Sequence, residues 1–516
     1  MESICKRFFT LFLTLALMPG LLGCGREAPP KILWVVTEET EQNGMNEQAE
    51  QVAAVFEAAH PGFSVEIEKL PTEPTERELK LKQLRTAIMS GKGPDVFLLP
   101  SCNANEWGTT SWFRSEPRTA QEVLEPLFAD PVLSMRNGLF YDIAPFYDAD
   151  DNLGKDALEP TVMEAGTLNG GRYLLPLRYD FPVLFADVEA VEAMGLSLDE
   201  LGRDAFSLLE TAIQTGNQLF AAGAELTFAR TGSGFSLLPP VFDYDAGKVT
   251  MDEEILVRLL EDIQEAEVLA AGDHSSRWDP YFGSYLDGTT AVVHEDGTLS
   301  FAPVNVFPRD IPITVNTLSV SPVCAAIAQA EEREFRMIPL RGFDGALTAN
   351  VTYFGAVGAG CDYPEEAYEF LRRFLLEENQ WEQNRSLHQD SSPVAWGLKK
   401  ERQYHPIADG WAVRRTGSLD PLWASLRTQL MHPVGPSVPG GDSRRKKLLG
   451  AALTENDVPI LHTPIDRVTF GNTLEQDLAE TIRALGNDFT GEATEVDVSQ
   501  LAQELTQKLR YQLMEG

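Results

Sequence analysis

The first apolar run of strand length is Ile32-Leu33-Trp34-Val35-Val36, which shows no alternation and so suits a parallel strand covered on both faces. A polar loop from Thr37 to Gly44 follows. Asn46 to His60 then places Ala49, Val52, Ala53, Phe56 and Ala59 at helical spacing, and Pro61-Gly62 stops the helix. Val65 and Ile67 alternate with charged neighbours like a strand. A second helix is predicted over about Thr75 to Ser90, and Gly91-Lys92-Gly93-Pro94 leads into another buried run, Asp95-Val96-Phe97-Leu98-Leu99. Repeated strand, helix, strand predicts α/β layers with right-handed crossovers. Ligands of such sheets sit beyond the carboxyl ends of the strands, here the loops after Val36 and after Leu99. Further along, Ile255 to Ala270 and Pro364 to Asn379 read as helices, and Thr290-Ala291-Val292-Val293 reads as a short strand ending in His294-Glu295-Asp296-Gly297. Leu501, Leu505, Leu509 and Leu513 mark the face of a terminal helix over about Val498 to Met514.

Charge narrows the partners. The 516 residues hold 42 Lys plus Arg against 78 Asp plus Glu, a formal net charge of -36, so the surface repels phosphate and nucleic acid is excluded as a partner. With 43% hydrophobic residues the chain has enough apolar material to fold, and its length implies at least two domains. Cys5, Cys24, Cys102, Cys324 and Cys361 are scattered, in neither a disulfide framework nor a CxxC pair. The seven histidines stand in no ligand spacing, and no cofactor is expected. Asp148, Asp150, Asn152 and Glu159 imitate a calcium loop, but Leu153 stands where the sharp turn requires glycine, so a solvated acidic loop is expected there and no metal site.

Lys6 and Arg7 precede an uncharged run from Phe8 to Met18, the pattern of a signal peptide rather than a membrane span. The run ends in Leu21-Leu22-Gly23-Cys24, which resembles the signal of bacterial lipoproteins. That resemblance implies cleavage before Cys24 and lipid attachment to it, with two or three acyl chains holding the protein stably at the extracellular face of the cell membrane.

The order of five further segments resembles the extracellular solute-binding proteins of ATP-driven (ABC) importers, in the family 1 group that includes maltose- and multiple-sugar-binding lipoproteins. The segments are Ser90 to Val96, Tyr141-Asp142-Ile143-Ala144-Pro145-Phe146, Gly170 to Leu177 running into Leu184-Phe185-Ala186-Asp187, Ala367 to Leu375, and Ser391-Ser392-Pro393-Val394. Three departures stand out: Ala186-Asp187 replaces the usual asparagine after the strand, the tryptophan common in the following helix is missing, and the chain beyond about Ser386 is longer. The resemblance implies a two-lobed, type II periplasmic-binding-protein-like α/β fold with the ligand cleft between the lobes. Residues 1–23 are then the signal peptide, 24–30 a lipidated tether, 31–178 with 340–376 the first lobe, and 183–336 with 385–516 the second. Three hinge crossings are implied, near Arg178 to Val183, Met337 to Gly342 and Glu377 to Arg385. It also implies a monomer that closes on a small solute and delivers it to permease subunits served by a separate ATPase, in keeping with the absence of a phosphate loop here.

Sugar recognition uses aromatic faces against ring C–H groups and planar acceptors for hydroxyls. Where the resemblance places the cleft stand Glu38, Glu39, Ser101 and Tyr353 on the first lobe, Tyr179 and Asp180 near the hinge, and Trp278, Glu295, Asp296 and Trp396 on the second. Each tryptophan suits a packing role equally well. No catalytic residue is assigned. Two alternatives stay open: a lipid-anchored cell-surface glycoside hydrolase using paired carboxylates, and a binding protein that signals to a receptor.

Overall fold

The computed structural model describes residues 30–38, 45–101, 125–215, 237, 240–243, 246–251, 253–270, 289–293, 299–303, 313–318, 321, 325, 328–329, 332–377, 379–380, 411–415, 458–471 and 497–515. Its larger sheet combines β1 (Lys31–Glu38), β2 (Phe63–Leu70), β3 (Val96–Pro100), β4 (Leu174–Asp180), β8 (Thr348–Val357), β9 (Trp411–Ala412) and β10 (Arg467–Thr469). The spatial order is β9-β4-β8-β3-β1-β2, with β10 also on β8. Strands β1, β2 and β3 pair parallel, while β8 runs antiparallel to both β3 and β4, so β4 points the same way as β1 to β3. All ten residues of β8 are buried, as a central strand covered on both faces requires.

A smaller antiparallel sheet, β6-β5-β7, consists of β5 (Pro182–Asp187), β6 (Ile313–Thr317) and β7 (Phe335–Pro339). It stands between two hydrophobic cores. Val183 and Phe185 of β5 pack in the core of the larger sheet, whereas Leu184 and Ala186 pack in a second core. The period of two sends alternate side chains to opposite faces, and here each face meets a different core.

The second core also contains α3 (Ala205–Gln214), α4 (Glu253–Ala270) and α6 (Val498–Glu515). The face of α6 differs from the expected row of leucines: Val498, Ala502, Leu505 and Leu509 enter the core, and Leu501 only flanks it. A strict four-residue step advances 40° per turn on a helix of 3.6 residues, so the leucine row drifts off the contact and a mixed 4-3-4 spacing replaces it.

The first core is flanked by α1 (Met45–Ala59), α2 (Pro74–Met89) and α5 (Pro364–Arg372). Glu73 caps α2 by accepting from Glu76 N at 2.7 Å, with Pro74 opening the helix. Helix α5 is shorter than the expected Pro364 to Asn379. It tightens into a 3₁₀ turn over Arg373–Leu375, and Leu376 turns extended. Asn379 Nδ2 donates to Arg373 O and Gln380 Nε2 to Phe374 O, at 2.6 and 2.7 Å, so side chains bind carbonyls that a continued helix would have used.

The chain passes between the sheets twice within the described residues. β4 enters β5 through the single buried residue Phe181, and β7 leads into β8 through Leu340 to Leu347. The first falls within the expected Arg178 to Val183, whereas the second overlaps the expected Met337 to Gly342 only at Leu340 to Gly342, because Met337 to Pro339 belong to β7. Of the third, only Glu377, Asn379 and Gln380 are described. Assignment of 385–516 to the second lobe holds for α6, which packs in the second core, and needs correction for the described parts of 411–471. β9 and β10 join the larger sheet, and Val413, Val458, Ile460 and Phe470 pack in its core. Leu340 and Phe343, expected in the first lobe, pack in the second core instead. The larger sheet has flanks on β4 and β8 that need covering, and the later chain supplies the strands.

The loop that imitates a calcium site is filled by the protein's own cations. Asp150 accepts from Tyr368 Oη at 3.0 Å and from Arg372, Glu159 pairs with Arg415 at 3.0 Å, and Lys155 Nζ binds the carbonyls of Tyr147 and Asp148. Burial pushes the Asp150 carboxyl up, but the Arg372 and Tyr368 hydrogen bonds outweigh it and hold the group below its ordinary value. A depressed carboxylate adds stability that is present above its unfolded-state value and is lost as pH falls through the folded one. Asp150→Asn is therefore expected to cost about 2–3 kcal/mol in urea unfolding at pH 7, and to flatten the loss of stability that the unmodified chain shows below about pH 4.

Candidate functional site

Carboxyl ends of the parallel strands β1, β2, β3 and β4 fall on one edge of the larger sheet, together with the start of the antiparallel β8. The order β2-β1-β3 makes this edge a switch point: the chain leaves β1 toward β2 on one side, then returns past it to β3 on the other. The connections diverge there, the kind of place at which open α/β sheets bind ligands. Both passages to the smaller sheet leave from the same edge, at Asp180 and before Thr348.

Polar side chains lie along the edge in an otherwise apolar sheet. Ser101, at the end of β3, is fully buried; its N–H donates to Thr352 O at 2.9 Å, and its hydroxyl has no hydrogen-bond partner among the described residues. Among the described residues, therefore, Ser101 Oγ is a buried hydroxyl that nothing engages. Register sets Asp180 opposite Asn350, and sets Tyr353 opposite Arg178 on one side and Pro100 on the other. Asp180 accepts from Phe181 N at 2.9 Å, fixing its carboxylate where β4 turns into β5. Tyr179 lies between Val351 and Trp411 in the sheet. Burial pushes its phenol up, with the Glu159 and Asp180 charges adding to the effect, so it stays protonated.

Glu38 has a different role from the ligand contact expected of it. It is only 2% exposed, and both its oxygens pair with Arg77 at 2.7 Å. Arg77, equally buried, also donates Nε to Glu125 O at 2.7 Å and Nη1 to Pro71 O at 3.0 Å. With both oxygens engaged, the Glu38 carboxylate ties the end of β1 to α2 and to the segment at Glu125. Asn46 adds to the tie, donating Nδ2 to Glu38 O at 2.7 Å and receiving Thr37 Oγ1 at 2.9 Å.

Of the other expected residues, Ser101, Tyr179, Asp180 and Tyr353 share the edge, while Cys24, Glu39, Trp278, Glu295, Asp296 and Trp396 lie outside the described residues. Arg178, Asn350 and Thr352 belong to the same edge and are not among the residues expected from sequence. A usable signal is present in Leu-Leu-Pro-Leu-Arg-Tyr-Asp and Thr-Ala-Asn-Val-Thr-Tyr, where polar side chains interrupt runs that are otherwise apolar enough for burial on both faces. The departure at Asp187 has a structural account: its carboxylate caps the helix at Val188–Ala193 by accepting from Ala190 N at 3.0 Å, and it pairs with Arg333.

Among the described residues no group of His, Cys, Asp and Glu is arranged to hold a metal ion, and no helix is long and apolar enough to cross a membrane. Cys361 sits near the opposite edge of the sheet, where burial pushes its thiol up to about 12, so it is not a thiolate at neutral pH. The edge thus offers hydroxyls, amides and a carboxylate on rigid strands, the equipment for holding a polar molecule.

No family model matches the chain, and no curated protein matches it. Solved structures of similar overall course include an extracellular solute-binding protein of family 1 from Alicyclobacillus acidocaldarius, with 16% identity and a TM-score of 0.42 over 94% of this chain and 99% of that one. The galacto-N-biose/lacto-N-biose I-binding protein of an ABC transporter from Bifidobacterium longum, in complex with lacto-N-biose, aligns at 13% identity and a TM-score of 0.48 over 95% and 99%. A periplasmic oligogalacturonide-binding protein from Yersinia enterocolitica gives 14%, 0.47, 94% and 99%.

Glu38→Gln or Arg77→Met should each lower stability by about 3 kcal/mol or more, because the remaining partner is left buried and uncompensated. Chemical denaturation checks this; a cost below about 1 kcal/mol would free Glu38 for ligand contact.

Proposed function

We propose that this chain is the lipid-anchored extracellular solute-binding component of an ABC importer. It captures a small solute, an oligosaccharide by the sequence resemblance, and delivers it unchanged to permease subunits whose ATPase is a separate chain. The observation that carries the reading is the coincidence of the switch-point edge with both passages between the sheets. A solute held at that edge lies beside the segments about which the two cores move, so its contacts favour one arrangement over the other. The proposed contacts are Ser101, Tyr179, Asp180 and Tyr353 along the edge, joined by Glu39, Trp278, Glu295, Asp296 and Trp396.

Calorimetry against a panel of mono- and oligosaccharides, with product analysis on the same samples, tests the reading. Saturable heat with unaltered sugar is expected, and Trp396→Ala should weaken binding by about tenfold, 1.4 kcal/mol, through loss of a stacking face. Cleaved sugar would instead establish the hydrolase, and heat from no member of the panel would remove sugars as the solute. For the anchor, Cys24→Ser is expected to shift the protein from the membrane fraction to the soluble one and to abolish incorporation of labelled fatty acid.

A further inference from the structure

The second passage, Leu340 to Leu347, is gripped from two sides. On one side Leu340 and Phe343 sit in the second core, where the Phe343 ring lies 4.7 Å from that of Phe206, and Phe343 N donates to Leu237 O at 2.9 Å. A Cβ at Gly342 would meet Leu237 O at 2.6 Å, and Gly345 has a φ of +81°, so the passage depends on glycine at both turns.

On the other side lies the segment 458–471, part of the long region in which this sequence departs from the solute-binding family. Val458, Ile460 and Phe470 fix it in the first core, and β10 fixes it to β8. From there Asp466 pairs with Arg341 at 2.7 Å and accepts from Leu347 N at 2.8 Å. Its neighbour Arg467 pairs with Asp344, Nη2 to Oδ1 at 3.0 Å, and donates Nε to Thr348 Oγ1 at 2.7 Å. The two pairs are reciprocal: the passage offers a cation and an anion, and the later segment offers an anion and a cation. Arg341 also donates to Gly345 O at 3.2 Å, which closes the passage's own turn. The Leu347 N–H holds the Asp466 carboxyl below its ordinary value, with Arg341 and Arg467 adding to it.

We propose that Asp466 and Arg467 form an ionic clasp on the second passage, setting how freely the two cores move relative to one another. Leu340 and Phe343 commit the passage to the second core, while Leu347 commits its end to the larger sheet by packing in the first core and accepting from Asp466 N and Arg467 N at 3.1 and 3.2 Å; the clasp ties the stretch between them, so any swing of one body against the other strains both pairs. All four groups are partly exposed, which makes the clasp weak enough to open and sensitive to salt. The proposal goes beyond solute capture and does not need a solute to be tested.

Fluorescent non-natural side chains at the exposed positions Gln83 on α2 and Glu253 on α4 report the distance between the two bodies in the full-length chain in detergent. Arg341→Gln with Asp344→Asn removes both charges of the passage while keeping their approximate size. In the absence of any sugar this double variant is expected to broaden the distance distribution and raise the minor population about two- to tenfold, the range that two such pairs sustain. The unmodified chain in 1 M sodium chloride should shift in the same direction. An unchanged distribution in a double variant whose circular dichroism is native would overturn the clasp. Should that variant not fold, the salt series decides: broadening supports the clasp and a flat response overturns it. Either result leaves the sugar calorimetry unaffected, so capture and clasp fail separately.

Discussion

Strand β5 is the constraint on which the architecture turns. It follows β4 after one residue and gives alternate side chains to two cores, so neither core is complete without it. A strand covered on both faces has no solvent side on which to place polar residues, and Pro-Val-Leu-Phe-Ala has none. The chain must therefore enter and leave the smaller sheet at its ends, and both passages emerge at the carboxyl edge of the larger sheet. The polar edge and the two passages adjoin because of that one geometric requirement.

Buried charge at the same edge follows from fixing loops without using apolar area. Arg77 makes four hydrogen bonds, reaching Glu38, Pro71 and Glu125, so one guanidinium joins the ends of β1 and β2 to the segment that precedes Asp130. Desolvating such a pair is costly, and it persists because both carboxylate oxygens and the N–H groups facing them are satisfied. The edge can then present Ser101, Asp180 and Tyr353 from rigid strands, which favours binding through geometry set in advance.

The chain beyond residue 385 is where family resemblance and structure part. Two short strands from this region, β9 and β10, complete the larger sheet, although resemblance alone would put them on the other lobe. Strand β8 gives its latter half to β3 and its first three residues to β10, so the flank that β3 does not reach is covered by later chain. Covering that flank brings Asp466 and Arg467 against the passage, where they pair with Arg341 and Asp344.

Sequence alone determined the elements whose signal is local. The runs Ile32 to Val36 and Val96 to Leu99, the amphipathic stretch from Asn46, and the helix opened by Pro364 all depend on periodicity and on punctuation by proline and glycine, which act over a few residues. The grouping of Ser101, Tyr179, Asp180 and Tyr353 is an implication of the family resemblance, and strand pairing in the larger sheet brings the four to one edge. Tertiary structure decided what depends on partners distant in sequence. Glu38 looks like a free acceptor until Arg77 occupies it, and Asp150 looks like a metal ligand until Arg372 arrives from 222 residues away. The leucine row of α6 gives way to the face that the second core accepts, and Asp466 acquires its role only when β10 lies beside β8. A carboxylate's identity is written in the sequence, but whether it binds a solute, a metal or a guanidinium is fixed by which group the fold brings within 3 Å.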